Sequence, residues 1–225
     1  MDLQLEREGI HLIRGGLHAS SLYDLRKLKS EFTRLATEAG SACVRHVFDR
    51  SETIRSLATS HTLLDILPNG LQPVRCILFD KTPESNWPVA WHQDLTIAVK
   101  EKYETPGYLN WSVKDGVTHV QPPIELLEKM VTVRIHLDDT QAENGALKVI
   151  AESHLKGRIP RDQIAKLTDE SNSTCSCAAG DILLMKPLIL HASERSIAPA
   201  HRRIIHIEYA DLSTLADGLE WYDQI

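Results

Sequence analysis

The run WPVAWHQDLTIAV, residues 87–99, decides how this chain is read. Valine, isoleucine, tryptophan and threonine dominate it, as they do in strands. Within it, His92-Gln93-Asp94 places a histidine and a carboxylate two residues apart. On an extended strand both point to one face, with their Cβ atoms about 6–7 Å apart. Side chains converging from that separation reach a single ion, while Trp91 and Gln93 are aimed the other way.

Working outward, the same character holds from about residue 73. Candidate strands are 74–79, 89–99, 130–137, 146–149, 181–185, 189–192 and 203–209. Turn-forming clusters at 81–86, 138–145 (with Asn144-Gly145) and 179–181 separate them. Residues 100–123 carry few strand signals and read as a long connection, and 155–168 read as partly helical. Upstream, residues 1–70 read as mainly helical, after a short strand over 10–14. Leu22, Leu25, Leu28, Phe32 and Leu35 recur at spacings of three and four, which makes one apolar stripe. Ser20 or Ser21 is placed to cap that helix and Gly40 to close it. A helical start followed by many short strands predicts a mainly β fold with N-terminal helices (α+β): a jelly-roll or barrel core backed by helices. The 225 residues fit one domain, with 1–70 as helical support and 73–210 as the core.

Composition narrows the function. A net charge of -6, with basic residues scattered, gives no electrostatic pull towards nucleic acid or anionic membranes. The opening MDLQLEREGIHLI mixes acids and bases where a signal peptide needs an apolar core. No apolar run approaches the roughly 18 residues of a membrane span. Cys43 and Cys76 stand far apart, and Cys175 and Cys177 form C-x-C rather than C-x-x-C. Reduced thiols in a cytoplasmic protein are the reading.

With 11 histidines and 31 acids, His-x-Asp/Glu pairs arise by chance, and the chain has three: His92/Asp94, His136/Asp138 and His206/Glu208. Position separates them. His206/Glu208 lies too near the C-terminus to be followed by a third ligand, and Asp138 falls in the turn LDDTQAENG. His92/Asp94 is followed 99 residues later by His191, far enough for intervening strands to close a sheet. Taken singly, His92 and His191 would be ordinary half-buried histidines. Two histidines and one carboxylate together form the facial triad of non-haem Fe(II) oxygenases, which leaves three metal positions open.

The segments VAWHQDLTIAV, LDDTQAENGALKVIAESHLKGRI, AAGDILLMKPLILHASERS and AHRRIIHIEYA resemble, block by block and in order, the phytanoyl-CoA dioxygenase-like branch of the Fe(II)/2-oxoglutarate oxygenases. Ala151-Glu152 stands where that family usually has Pro-Gly. The resemblance implies a double-stranded β-helix, the cupin-like form of the jelly roll, with His92, Asp94 and His191 as metal ligands. It implies Fe(II), 2-oxoglutarate and O2 as cofactor and co-substrates. Arg202, eleven residues after His191, matches the arginine that grips the far carboxylate of 2-oxoglutarate, and Ser193 the hydroxyl beside it. A guanidinium pairs bidentately with a carboxylate, which suits it to that task, and Arg203 is the neighbouring rival.

The activity implied is hydroxylation of a small polar metabolite with release of succinate and CO2. Desaturation or cyclisation on the same centre is an alternative. Asp94 fills the position that halogenating relatives leave for chloride. A cupin-like protein that binds a small molecule without turnover, or a zinc hydrolase on the same scaffold, are readings from other classes. The chain is short for a dedicated coenzyme A site. For substrate contact the candidates are Arg134, Trp111, Tyr108 and Arg75. Arg134 lies on the polar side of the alternating strand 131–137, and Trp111 and Tyr108 fall in 100–123, read as a lid. Arg75 and Lys81 precede the motif strand, where ion-pair or surface roles compete with ligand contact. Partners are a small molecule, with no nucleic acid and no membrane, and the oligomeric state is open.

Overall fold

Strict alternation over Val131–His136 gives this segment two chemically different faces, and the fold is organised around that difference. The structure, a computed structural model, describes residues 3–17, 24–197 and 200–225. Its strands in chain order are β1 (Ile10–Ile13), β2 (Cys43–Val44), β3 (Gln72–Lys81), β4 (Val89–His92), β5 (Ile97–Val99), β6 (Leu109–Lys114) and β7 (Val117–Gln121). They continue with β8 (Val131–His136), β9 (Leu147–Ile150), β10 (Ser173–Cys175), β11 (Ile182–Met185), β12 (Leu190–Ser193) and β13 (Arg202–Ala210). A large antiparallel sheet has the order β1-β11-β8-β13-β3-β2, and a smaller one β10-β9-β12-β4. The two sheets face each other as a jelly roll, as the sequence predicts. Leu183 and Met185 of one pack with Leu147 and Val149 of the other.

The other face of the large sheet carries the helices. Val131, Val133, Ile135, Ile205 and Ile207 are buried there against Leu28, Phe32 and Leu35 of helix Leu25–Ala39, and against Ile54 and Leu57 of helix Glu52–Ala58. Each such burial contributes about 1.5–3 kcal/mol, so this layer is the main adhesive of the N-terminal region. Asp24 caps helix Leu25–Ala39 by accepting from the Arg26 amide, and Gly40 closes it with φ 58°. The expected caps Ser20 and Ser21, and the first stripe residue Leu22, lie outside the described residues. Among the described residues no helix is long and apolar enough to cross a membrane.

Two expectations need correction. The motif run is not one strand: β4 ends at His92, and the Asp94 amide leaves the sheet to donate to Pro187 O at 2.9 Å before the chain resumes as β5. Residues 100–123 are not an irregular connection. They contain the hairpin β6–β7, which joins β5 in a third sheet. The hairpin turns at Asp115-Gly116, where both residues have positive φ (51° and 79°). That is the mirror-image turn that fits strand twist, and Asp-Gly is its sequence signature. The turn signal is thus local to Asp115-Gly116.

Candidate metal centre and its cavity

His92 ends β4 and His191 lies on β12, and the two are direct cross-strand partners. Their rings approach to 4.2 Å between centroids. Asp94, freed from the sheet by its bond to Pro187, turns its carboxylate between them. Oδ1 is 3.7 Å from His92 Nε2 and Oδ2 is 3.7 Å from His191 Nε2. Ligand atoms of the three residues all lie within 4.8 Å of one another. Each imidazole is held from behind: Nδ1 of His92 meets Ala90 O at 2.8 Å, and Nδ1 of His191 meets Ile189 O at 2.9 Å. A carbonyl only accepts, so the proton is on Nδ1 and the Nε2 lone pair faces the carboxylate.

Electrostatics agree with a ligand set. Burial, against the opposing pull of Asp94, brings the His191 imidazole down to about 4, which keeps it neutral at physiological pH. For Asp94, burial opposes ionisation but is outweighed by His191, His206, His92 and Arg75, so the carboxyl stays below its usual range. Two neutral imidazoles and one carboxylate presented from one side fit a divalent transition ion with positions open opposite.

The triad borders a cavity of about 170 Å³, whose wall also includes Phe79, Trp87, Val89, Arg134, Leu147, Ser193, Arg202 and His206. Arg202 and Arg203 separate by parity. Arg202 turns into the cavity, donates to Gly145 O and keeps Nε without a partner. Arg203 points to the helices and clamps Asp138 with two bonds of 2.8 Å. Ser193 accepts a 2.9 Å bond from Lys81 Nζ, and Lys81 is the cross-strand partner of Arg202. Burial, then the charges of Arg202 and Arg134, pull the Lys81 ammonium down to about 7; burial and Arg134 pull Arg202 down to about 9. Gly145 is needed at this point. Its φ is 66°, and a Cβ there would lie 2.7 Å from Glu194 O and 3.3 Å from Lys81 Nζ.

The sequence candidates therefore divide. His92, Asp94, His191, Arg202, Ser193 and Arg134 come together around one cavity. Arg75 is 3.1 Å from Glu208 and is not in the cavity wall. Tyr108 is buried in the cluster beneath the third sheet and its hydroxyl accepts from the Ala216 amide; Trp111 packs against that same cluster under Lys102. Neither borders the cavity. For Lys81 the sequence left ligand contact and a surface or ion-pair role open, because its contact with Ser193 spans 112 residues. His206 was missed, weighed only as half of a rejected pair. Its place on the inner face of β13, in phase with Arg202, was the available clue. Of the rejected pairs, His206 and Glu208 are 3.5 Å apart in a network with Arg75, and His136 bonds Thr140. Ser153 is a structural bridge, donating to Ile150 O and accepting from the Leu190 amide.

Among solved structures, the chain is similar to the epimerase SnoN in complex with Fe3+, alpha ketoglutarate and nogalamycin RO (17% identity, 99% of this chain and 93% of that one, TM-score 0.68). It is also similar to the non-heme alpha ketoglutarate dependent carbocyclase SnoK from nogalamycin biosynthesis (15%, 99% and 85%, TM-score 0.67). HygX from Streptomyces hygroscopicus, with nickel and 2-oxoglutarate bound, matches at 18% identity over 92% and 84% of the chains, with TM-score 0.64. At these identities the likeness establishes the jelly-roll fold. Comparison with curated proteins gave no significant match. A family profile described as phytanoyl-CoA dioxygenase (PhyH) matches residues 6–204, nearly the whole chain. This chain belongs to the phytanoyl-CoA dioxygenase family.

Proposed function

We propose that the protein is an Fe(II)- and 2-oxoglutarate-dependent oxygenase that hydroxylates a small polar molecule, with release of succinate and CO2. The observation that carries this reading is the shape of one cavity. Three ligand side chains converge in its wall; Arg202 and Ser193 line it too, Lys81 adds a second cation behind Ser193 through their 2.9 Å bond, and the acid in the wall, Asp94, is already committed to the triad. A short dicarboxylate with one chelating end fits between them. A binding protein without turnover has no use for this second anchor.

His92, Asp94 and His191 would hold the iron, which supplies activation of O2 and the oxidising power for cleavage of a C–H bond. Arg202 and Lys81 hold the far carboxylate of 2-oxoglutarate, Arg202 through a planar fork and Lys81 as a point charge steadied by Ser193. The Ala90 and Ile189 carbonyls keep each ring's lone pair on the metal side. Phe79, Trp87, Val89 and Leu147 exclude water from the reacting groups and offer an apolar bed for substrate. The exposed side of His92 and Asp94 is where substrate approaches.

The test is 2-oxoglutarate turnover by Fe(II)-loaded protein, screened against small polar metabolites with mass analysis of products. Gain of one oxygen supports hydroxylation. Loss of two hydrogens, or an isomer of unchanged mass, keeps the oxygenase and replaces the reaction. Asp94→Ala should reduce succinate formation by more than about 100-fold with an unchanged circular dichroism spectrum, because even outer-shell losses cost 10–100-fold. Wild-type turnover in that variant would remove the triad from the proposal.

A further inference from the structure

Arg134 is buried in the cavity wall without an acid of its own. Strand parity places it there: Val131, Val133 and Ile135 of β8 pack on the helices, so Thr132, Arg134 and His136 face inward. The residue is 7% exposed. Its Nη1 meets His206 Nδ1 at 3.0 Å, and its Nε has no partner. An arginine only donates, so His206 Nδ1 accepts and the imidazole is neutral, with its proton on Nε2 towards Glu208. The acids that might balance Arg134 are engaged elsewhere. Glu208 is paired with Arg75, and Asp138 is clamped by Arg203. Asp80 takes the Arg202 amide and His201, and Asp94 lies between the triad histidines. A desolvated guanidinium with most of its fork unused is costly to keep unless a ligand completes it.

We propose that the substrate is a small carboxylic acid, or an equivalent oxyanion, whose anionic group is seated on Arg134 while its apolar body lies against Trp87, Val89 and Leu147. This rests on the oxygenase reading above. The far carboxylate of 2-oxoglutarate already has Arg202, Lys81 and Ser193. Arg134 shares the cavity wall with both the triad and Arg202, and its charge is felt at Asp94 and His191 as well as at Arg202 and Lys81, so it stands beside the far-carboxylate anchor without being needed for it. Burial also depresses the Arg134 pKa, as expected of a cation awaiting a counter-charge.

The Nε–H groups of Arg134 and Arg202 lack partners and are buried, so both should give resolved side-chain NMR signals in Zn(II)-loaded protein. R134M and R202M assign them, and R134K serves if R134M does not fold. Saturating 2-oxoglutarate should move the Arg202 signal. Acetate or benzoate added next should move the Arg134 signal saturably, while acetamide and benzamide bind at least about tenfold more weakly. The proposal is overturned if 2-oxoglutarate alone moves Arg134 as far as Arg202 and the acids add nothing, since Arg134 then serves the co-substrate. It is equally overturned if the Arg134 signal responds to neither, or to amides as well as acids. An Arg202 signal unmoved by 2-oxoglutarate tells instead against the co-substrate reading, and the acid titration of Arg134 can still be read.

Discussion

Strands β3 and β13 pair along their whole length and carry two charged cross-strand pairs on the inner side of the large sheet. Towards one end Arg75 opposes Glu208, an ion pair at 3.1 Å. At the other end Lys81 opposes Arg202, cation against cation. Directly opposed like charges destabilise a sheet, so the second pair is a cost where the first is not. The two ends thus do different work. A matched pair closes on itself and holds the strands. A mismatched pair holds open a demand for negative charge, which under the proposed function a co-substrate dianion would satisfy.

The largest effect expected is at the matched end. Arg75→Met leaves Glu208 buried without its partner and should lower stability by about 3 kcal/mol, read as a shift in the urea midpoint. The folded fraction should still bind 2-oxoglutarate within about threefold of wild type. If its affinity collapses instead, the ends are not independent and the contrast fails.

Next is the mismatched end. Arg202→Met should weaken 2-oxoglutarate binding to Zn(II)-loaded protein by about tenfold or more, since a charge-assisted bond contributes about 1.5–3 kcal/mol. Arg203→Met should leave that affinity nearly unchanged in the same calorimetric titration. Equal effects from the two neighbours would dissolve the parity argument.

The smallest effect sharpens the comparison through pH. Lys81 titrates near 7 in the free protein, so its charge is fully present only below that value. Affinity for 2-oxoglutarate should be highest below about pH 7 and fall about three- to tenfold by pH 8, a change of one pKa unit or less in binding free energy. Lys81→Met should flatten this profile. The sign for stability is opposite. The folded pKa lies below the ordinary 10.5, so the unfolded chain binds more protons between these values and the ligand-free protein gains stability as pH rises from about 7 towards 10. A profile unchanged in the Lys81 variant would assign the pH dependence to another group.

What the sequence revealed depended on distance along the chain. The alternations of 131–137 and of Arg202/Arg203 are local, so period two sorted their faces correctly. The failures came where a distant partner overrode local pattern. Asp94 left the strand because Pro187, 93 residues on, accepts its amide. Lys81 gained its meaning from Ser193. Tyr108 and Trp111 looked like aromatic lid residues, and they serve a core completed by Leu219 and Trp221. The Asp115-Gly116 hairpin differs in kind, since its signal was local and was outweighed by the polar residues around it.

The orientation of the two triad rings rests on the carbonyls of Ala90 and Ile189, which are main-chain atoms. Among the described residues no side chain elsewhere supplies it, so no substitution among them can simply delete it. The cavity wall is the reverse: Phe79, Trp87, Val89 and Leu147 contribute only their side chains, and each can drift in size. The scaffold therefore separates a part oriented by main chain from a part shaped by side chains. A designer can recut the wall for a new substrate while the orientation of the two histidine rings, set by backbone, is left in place.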